Sequence, residues 1–205
     1  MKPRRAHAAL LRARHALSVG LLTAAAAAEP AVDPFALCST CHGARGVSTL
    51  AETPSLAGKH SFYAIMQLFL FLQRWRANEA MTAIAKGMSD ADLRAYSELI
   101  GKLPPAPDAS AAPADAARMA RGAALAERHR CASCQGSDCA GEKQTQRLAS
   151  QREDYLARTL AEFKAGTRLG YTQAMNEVLA GVDPNDLADL AHFLAHADVV
   201  RAGAC

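Results

Sequence analysis

The sequence predicts an all-α fold built as two small tandem domains, and three observations carry that expectation. Apolar residues recur at helical spacing behind N-cap signals, and no segment alternates convincingly as a strand. The second half also repeats the first. Cys38-Ser39-Thr40-Cys41 has a partner in Cys131-Ala132-Ser133-Cys134, 93 residues on. Leu56-Ala57, Tyr63 and Phe71 match Leu148-Ala149, Tyr155 and Phe163 at a shift of 92, and Met81 and Asp92-Leu93 match Met175 and Asp186-Leu187 at 94. A drift of one or two residues is what small loop insertions produce.

Composition supports the same class. The chain has 205 residues, 50% hydrophobic but only 5% aromatic, which excludes disorder and collagen-like repeats and argues against a large β-sandwich. In chain order, a helix is expected around residues 60–76, where the run from Phe62 to Leu72 is too short to span a bilayer and reads as a buried helix. Ser89-Asp90-Ala91-Asp92 then caps a helix whose stripe is Leu93, Tyr96, Leu99 and Ile100. The Pro/Ala-rich stretch from Pro104 to Pro113 cannot be helical throughout and reads as a semi-rigid linker. Further helices are expected over about 115–130 and 152–164, and after Asp183-Pro184-Asn185-Asp186, where Leu187, Leu190, Phe193 and Leu194 form the stripe.

The first 28 residues have the layout of a secretory leader. Lys2, Arg4, Arg5, Arg12 and Arg14 precede an apolar run from Ala16 to Thr23, and Ala26-x-Ala28 offers a small-residue cleavage point after Ala28. The expected organisation is therefore a signal peptide (1–28), a first domain (29–104), a linker (105–113) and a second domain (114–205). Removing the leader takes five of the 23 cations and none of the 20 acids, so +3 becomes about −2. A mature chain without a basic patch gives no reason to expect nucleic acid as a partner. No membrane span is expected after cleavage, and the expected location is the periplasm.

Cys38-x-x-Cys41-His42 is the c-type haem attachment signature. Two thiols three positions apart on a helical turn reach the two vinyl groups, and the next imidazole rises to the iron. A zinc site lacks a second complete ligand pair, and a redox Cys-x-x-Cys lacks a βαβ context. With Pro54-Ser55-Leu56-Ala57-Gly58, a downstream Met and a capped C-terminal helix, each half resembles a class I c-type cytochrome. In tandem, the mature chain resembles the diheme cytochrome c4 family. That resemblance implies covalent haem c on Cys38 and Cys41, His42 as proximal ligand, and the Pro54 carbonyl fixing the ring through its other nitrogen. The distal ligand is chosen among Met66, Met81 and Met88. Met66 lies inside the apolar helix and reads as core filler, and His60 reads as an exposed residue at a helix start. Met81 and Met175 each stand eleven residues before an equivalent Asp, which favours Met81.

The second half breaks the pattern. Gln135 stands at the proximal position, and Gln146 stands where the first half has Pro54. Three readings stay open. The domain carries no haem, leaving Cys131 and Cys134 free to pair in an oxidising compartment, with Cys139 and Cys205 widening the choice. Or a covalent haem is held by Met175 with Gln135 or an outside ligand. Or another histidine substitutes, His129 being nearest. Met175 itself also reads as a core residue.

The function expected is single-electron transfer between periplasmic or membrane-bound redox proteins through a His/Met-ligated haem in the first domain. A closed ligand set leaves no position for substrate, which suits a carrier rather than an enzyme. The alternatives are the cytochrome subunit of a periplasmic dehydrogenase, or a haem enzyme or sensor using the altered second site.

Overall fold

The computed structural model describes residues 33–108, 111–171, 173–197 and Cys205; the expected leader and the middle of the expected linker lie outside the described residues. The first half contains α1 (Ala36–His42), α2 (Ser61–Leu72), α3 (Glu79–Ala85) and α4 (Asp90–Gly101). The second contains α5 (Ala116–Arg128), α6 (Ala132–Gln135), α7 (Glu153–Lys164), α8 (Ala174–Ala180), a 3-10 turn (Pro184–Asp186) and α9 (Leu187–His196). There is no strand among the described residues. Helices α6 to α9 follow α1 to α4 in order, so the sequence repeat is a structural one; among the described residues α5 has no first-half counterpart.

Two caps form where the sequence places them, at Ser89 and Asp183, and Asp115 adds a third. Ser89 and Asp92 make a reciprocal capping box at α4, a device that contributes roughly 1 kcal/mol. Asp115 accepts from the Arg118 backbone at 2.8 Å to start α5. Asp183 accepts from Asn185 at 2.8 Å to start the 3-10 turn that runs into α9.

Helix α5 packs on α9, and α9 on α7. The first crossing is close because of Gly122, where a Cβ would meet Asp189 O and Phe193 Cβ, each at 2.4 Å. Arg118 bridges Glu153 (2.7 Å) and Asp189 (3.2 Å) across the three helices. His192 accepts from the Asp115 backbone through Nε2 at 2.9 Å and donates through Nδ1 to Glu153 at 2.8 Å. His196 faces the His192 and Ala112 carbonyls at 2.9 and 2.8 Å. The ring nitrogens of this cluster are thus occupied by protein partners.

Two expectations change. The helix at 62–72 is buried on one face only. Tyr63, Ala64, Gln67, Leu68, Leu70 and Phe71 point inward, while Phe62, Met66 and Phe69 are exposed along the other face. Met66, read as core filler, is therefore a surface residue. Helix α2 packs on α4 and α3, and twelve residues of a 3.6-residue helix cannot turn every side chain toward them. His60, expected at a helix start, is the exposed N-cap of α2, and His129 is the half-buried C-cap of α5.

The halves meet through polar contacts. Ser55 N donates to Gln151 Oε1 at 2.7 Å, and Gln151 Nε2 donates back to Ser55 O at 3.0 Å. Tyr63 donates to Gln146 at 2.8 Å, and Arg76 to the Tyr155 hydroxyl at 2.9 Å. Lys59 donates to Arg147 O and is buried there. Burial and the neighbouring Arg147 push its ammonium down to about 7 from 10.5. Between those values the unfolded chain binds a proton that the folded chain does not, so stability rises with pH across that window.

Among the four cysteines outside the first pair, Cys139 and Cys205 are joined across a sequence separation of 66, while Cys131 and Cys134 are free thiols. Cys139 is fully buried against the second core, so the bridge ties the C-terminus to it. Replacing both bridged cysteines with serine should lower unfolding stability by roughly 2–4 kcal/mol in denaturant titration. Lys59→Met should raise the thermal midpoint, and by more at pH 6 than at pH 9, because the buried ammonium costs more where it stays protonated. An equal gain at both pH values would contradict the buried-amine assignment.

Candidate functional site

Helix α1 is a little under two turns long, which places Cys38 and Cys41 one turn apart and His42 at its end. The chain must then reverse, and Gly43 makes this reversal with φ +79°; a Cβ there would meet Val47 O at 2.1 Å. The following loop is tied back on itself. Ser48 Oγ donates to Cys41 O at 3.0 Å, and Ser48 N donates to Ser55 Oγ at 3.1 Å. That fold of the loop carries the Pro54 carbonyl to 2.7 Å from His42 Nδ1. With Nδ1 engaged, Nε2 is the nitrogen left for a metal.

These residues open on a cavity of about 310 Å³. Cys38, Cys41, His42 and Pro54 line it, with Leu56, Leu68, Ile84 and Ile100 among its apolar walls. Met81 and Met88 also line it, from α3 and the turn after it, whereas Met66 does not. Asn78 caps α3 by accepting from the Met81 backbone at 2.9 Å, which fixes where that residue leaves the helix. Burial pushes the His42 imidazole below its ordinary range; the Pro54 carbonyl opposes this only in part, and Arg76 adds to it. The neutral ring is the form that binds a metal. Two thiols one turn apart, a buried neutral imidazole and apolar walls fit a haem.

The second half supplies part of this cavity: Gln146, Tyr155, Arg158 and Arg168 line it. Arg76 and Arg168 converge on the Tyr155 hydroxyl, at 2.9 and 3.3 Å. Burial alone would raise the Tyr155 phenol, but the two guanidinium groups outweigh it and hold the phenol below its ordinary value. Burial dominates at Tyr63 and pushes its phenol up. Arg76 and Arg168 escape a motif search because the haem signature does not include them. The repeat could have found them, since they sit at the same shift of 92 as the two tyrosines.

The second set of expected residues is not assembled in the same way. Cys131 and Met175 pack against the second hydrophobic core, and Cys134 is exposed. Gln135 is buried with its Oε1 lacking a partner among the described residues. Gln146 faces the first half, accepting from Tyr63.

A tandem helical fold with a Cys-x-x-Cys-His turn opening on an apolar cavity defines a c-type cytochrome of the two-domain, class I kind. The chain is 32% identical over 165 residues to cytochrome c4 of Thiocapsa roseopersicina, covering 77% of this chain and 85% of that protein. It superposes on reduced cytochrome c4 of Pseudomonas stutzeri with a TM-score of 0.72, covering 80% of this chain and 95% of the other at 24% identity, which speaks for the fold. The chain belongs to the cytochrome c4 family; it is an electron carrier on haem c and not an enzyme. It is also 32% identical to a protein of Thiomonas intermedia described as a thiosulfate dehydrogenase electron acceptor, covering 75% of each. No family model matches the chain. Among the described residues no helix is long and apolar enough to cross a membrane.

Proposed function

We propose that the chain carries single electrons in the periplasm on a haem c held by the first domain, residues 29–104, with 105–113 as linker and 114–205 as second domain. When bound, haem c supplies reversible one-electron exchange at its iron. Cys38 and Cys41 hold the macrocycle covalently. His42 offers Nε2 to the iron while the Pro54 carbonyl fixes its tautomer and orientation. Met81 would offer its thioether sulfur to the iron as second protein ligand, which would raise the reduction potential relative to histidine alone and leave no position for substrate. The walls from α2, α4 and the second half exclude water and hold the cavity's shape.

The observation that carries this reading is the Cys38/Cys41/His42 turn facing an apolar cavity with His42 Nδ1 at 2.7 Å from Pro54 O. The preference for Met81 over Met88 is supported by the repeat, in which Met175 matches Met81 and Val182 matches Met88. The relative described as a thiosulfate dehydrogenase electron acceptor favours a second reading, in which a periplasmic dehydrogenase delivers the electrons. Mixing the oxidised protein with thiosulfate and a thiosulfate dehydrogenase, and following the haem absorbance, separates that partner from others.

Met81→Ala should abolish the methionine–iron charge-transfer band at the red end of the oxidised protein's spectrum and lower the midpoint potential. Retention of the band would move the ligand to Met88. Cys38→Ser with Cys41→Ser should leave no haem bound to that peptide after acid–acetone extraction.

A further inference from the structure

The internal repeat allows the walls of the first cavity to be compared, position by position, with the second half. Ala64, Leu68, Met88, Tyr96 and Ile100 line the cavity in the first. Their counterparts are Leu156, Leu160, Val182, Leu190 and Leu194, and all five are 4% exposed or less inside one continuous core. Leu156 in particular puts a branched side chain where the first half keeps a methyl group. Cys131 and Met175, the counterparts of the cavity-lining Cys38 and Met81, pack against that core. A second cavity, about 340 Å³ and bounded by Asp108, Glu153, Asp154 and His196 among others, touches none of Cys131, Cys134, Gln135 or Met175.

The polar groups have diverged in the same direction. Gln135 keeps the burial of the proximal position without an imidazole. Gln146 no longer serves its own half; it accepts from Tyr63 and lines the first cavity. Arg76 bonds Gln67 and Tyr155 and has no carboxylate within 4 Å among the described residues, whereas Arg168 is paired with Glu162. The first-half counterpart of Glu162 is Leu70. The second half thus supplies from its own helix the anion that its arginine needs, and the first half does not.

We infer that the second domain takes no haem: its site has been closed by a hydrophobic core, and the domain works as a protein wall of the first domain's cavity. A macrocycle could enter only by expelling several fully buried side chains that pack at interior density. This inference rests on the proposed function only for the haem on Cys38 and Cys41.

The test is made on the full-length holoprotein purified after export. Denaturation, reduction and alkylation with iodoacetamide, followed by peptide mass mapping, report every cysteine separately, because a thioether-linked cysteine cannot be alkylated. The expected result is haem on the Cys38–Cys41 peptide and alkylated Cys131 and Cys134, with one haem per chain by pyridine haemochrome. Haem on the Cys131–Cys134 peptide would overturn the inference. Unmodified Cys38 and Cys41 would sink the proposed function while leaving this inference standing if Cys131 and Cys134 are alkylated too. As a second measurement, Cys131→Ser with Cys134→Ser should leave the Soret absorbance per chain unchanged; a fall to half would contradict a closed site.

Discussion

The rest of the structure depends on a hollow that the first half does not fill with its own side chains. Phe35, Ala64 and Ile100 form one buried apolar cluster there, and the buried Tyr63, Ala64, Leu68, Phe71 and Ile100 line the cavity, while the second half packs sixteen buried residues into one cluster. Both halves use the same helix order, so the difference lies in what occupies the centre. Domains of this size bury a modest fraction of their surface, and a missing centre is a large share of the total. For the first half, holding a cofactor and being folded are therefore linked: whatever binds only the folded form stabilises it by mass action. The Cys38–Cys41 turn answers the same constraint covalently, since a linked macrocycle cannot dissociate from the folded chain.

The second half answers it differently, and its answer serves both domains. Having its own core, it can stand as a rigid face against the open side of the first. The interface carries buried hydrogen bonds, among them the reciprocal Ser55–Gln151 pair and Tyr63–Gln146. Buried amides and phenols that are fully paired fix one relative position of two surfaces, because a slip would strand several of them at once. Gln146 is informative here: it stands at the repeat position of Pro54, and its side chain is a hydrogen-bond acceptor for the other half.

Much of this was legible in the sequence because it is local. The caps at Ser89 and Asp183, the helical stripes of α4 and α9, and the Cys38-x-x-Cys41-His42 motif are set by residues within a few positions of one another. The repeat carried the two-domain reading further than periodicity alone could. What stayed hidden is non-local. The run from Phe62 to Leu72 is apolar but for Tyr63 and Gln67, and those two lie on the buried face, so polarity does not tell which face meets α4, and Met66 ended outside. The pairing of Cys139 with Cys205 depends on where the last residues return over the second core. The contribution of Tyr155 and Arg168 to the first cavity depends on how two domains dock.

The distribution of charge adds a last constraint. Residues 29–205 are mildly acidic, with 18 cations against 20 acids, yet Lys59, Arg147, Arg152 and Arg168 are all buried at the junction of the halves. Arg152 is paired with Asp154 and Arg168 with Glu162, whereas Lys59, Arg76 and Arg147 have no carboxylate within 4 Å among the described residues. Guanidinium groups stay protonated at any accessible pH, so Arg76 and Arg168 place fixed positive charge on the cavity wall. Such charge, screened little by water, disfavours a further positive charge inside the cavity. It therefore favours the reduced over the oxidised state of whatever redox centre sits there, the same direction in which a histidine–methionine ligand pair acts. Two independent features thus push the potential upward, the ligand pair from the first domain and a wall charge to which the first domain contributes Arg76 and the second Arg168.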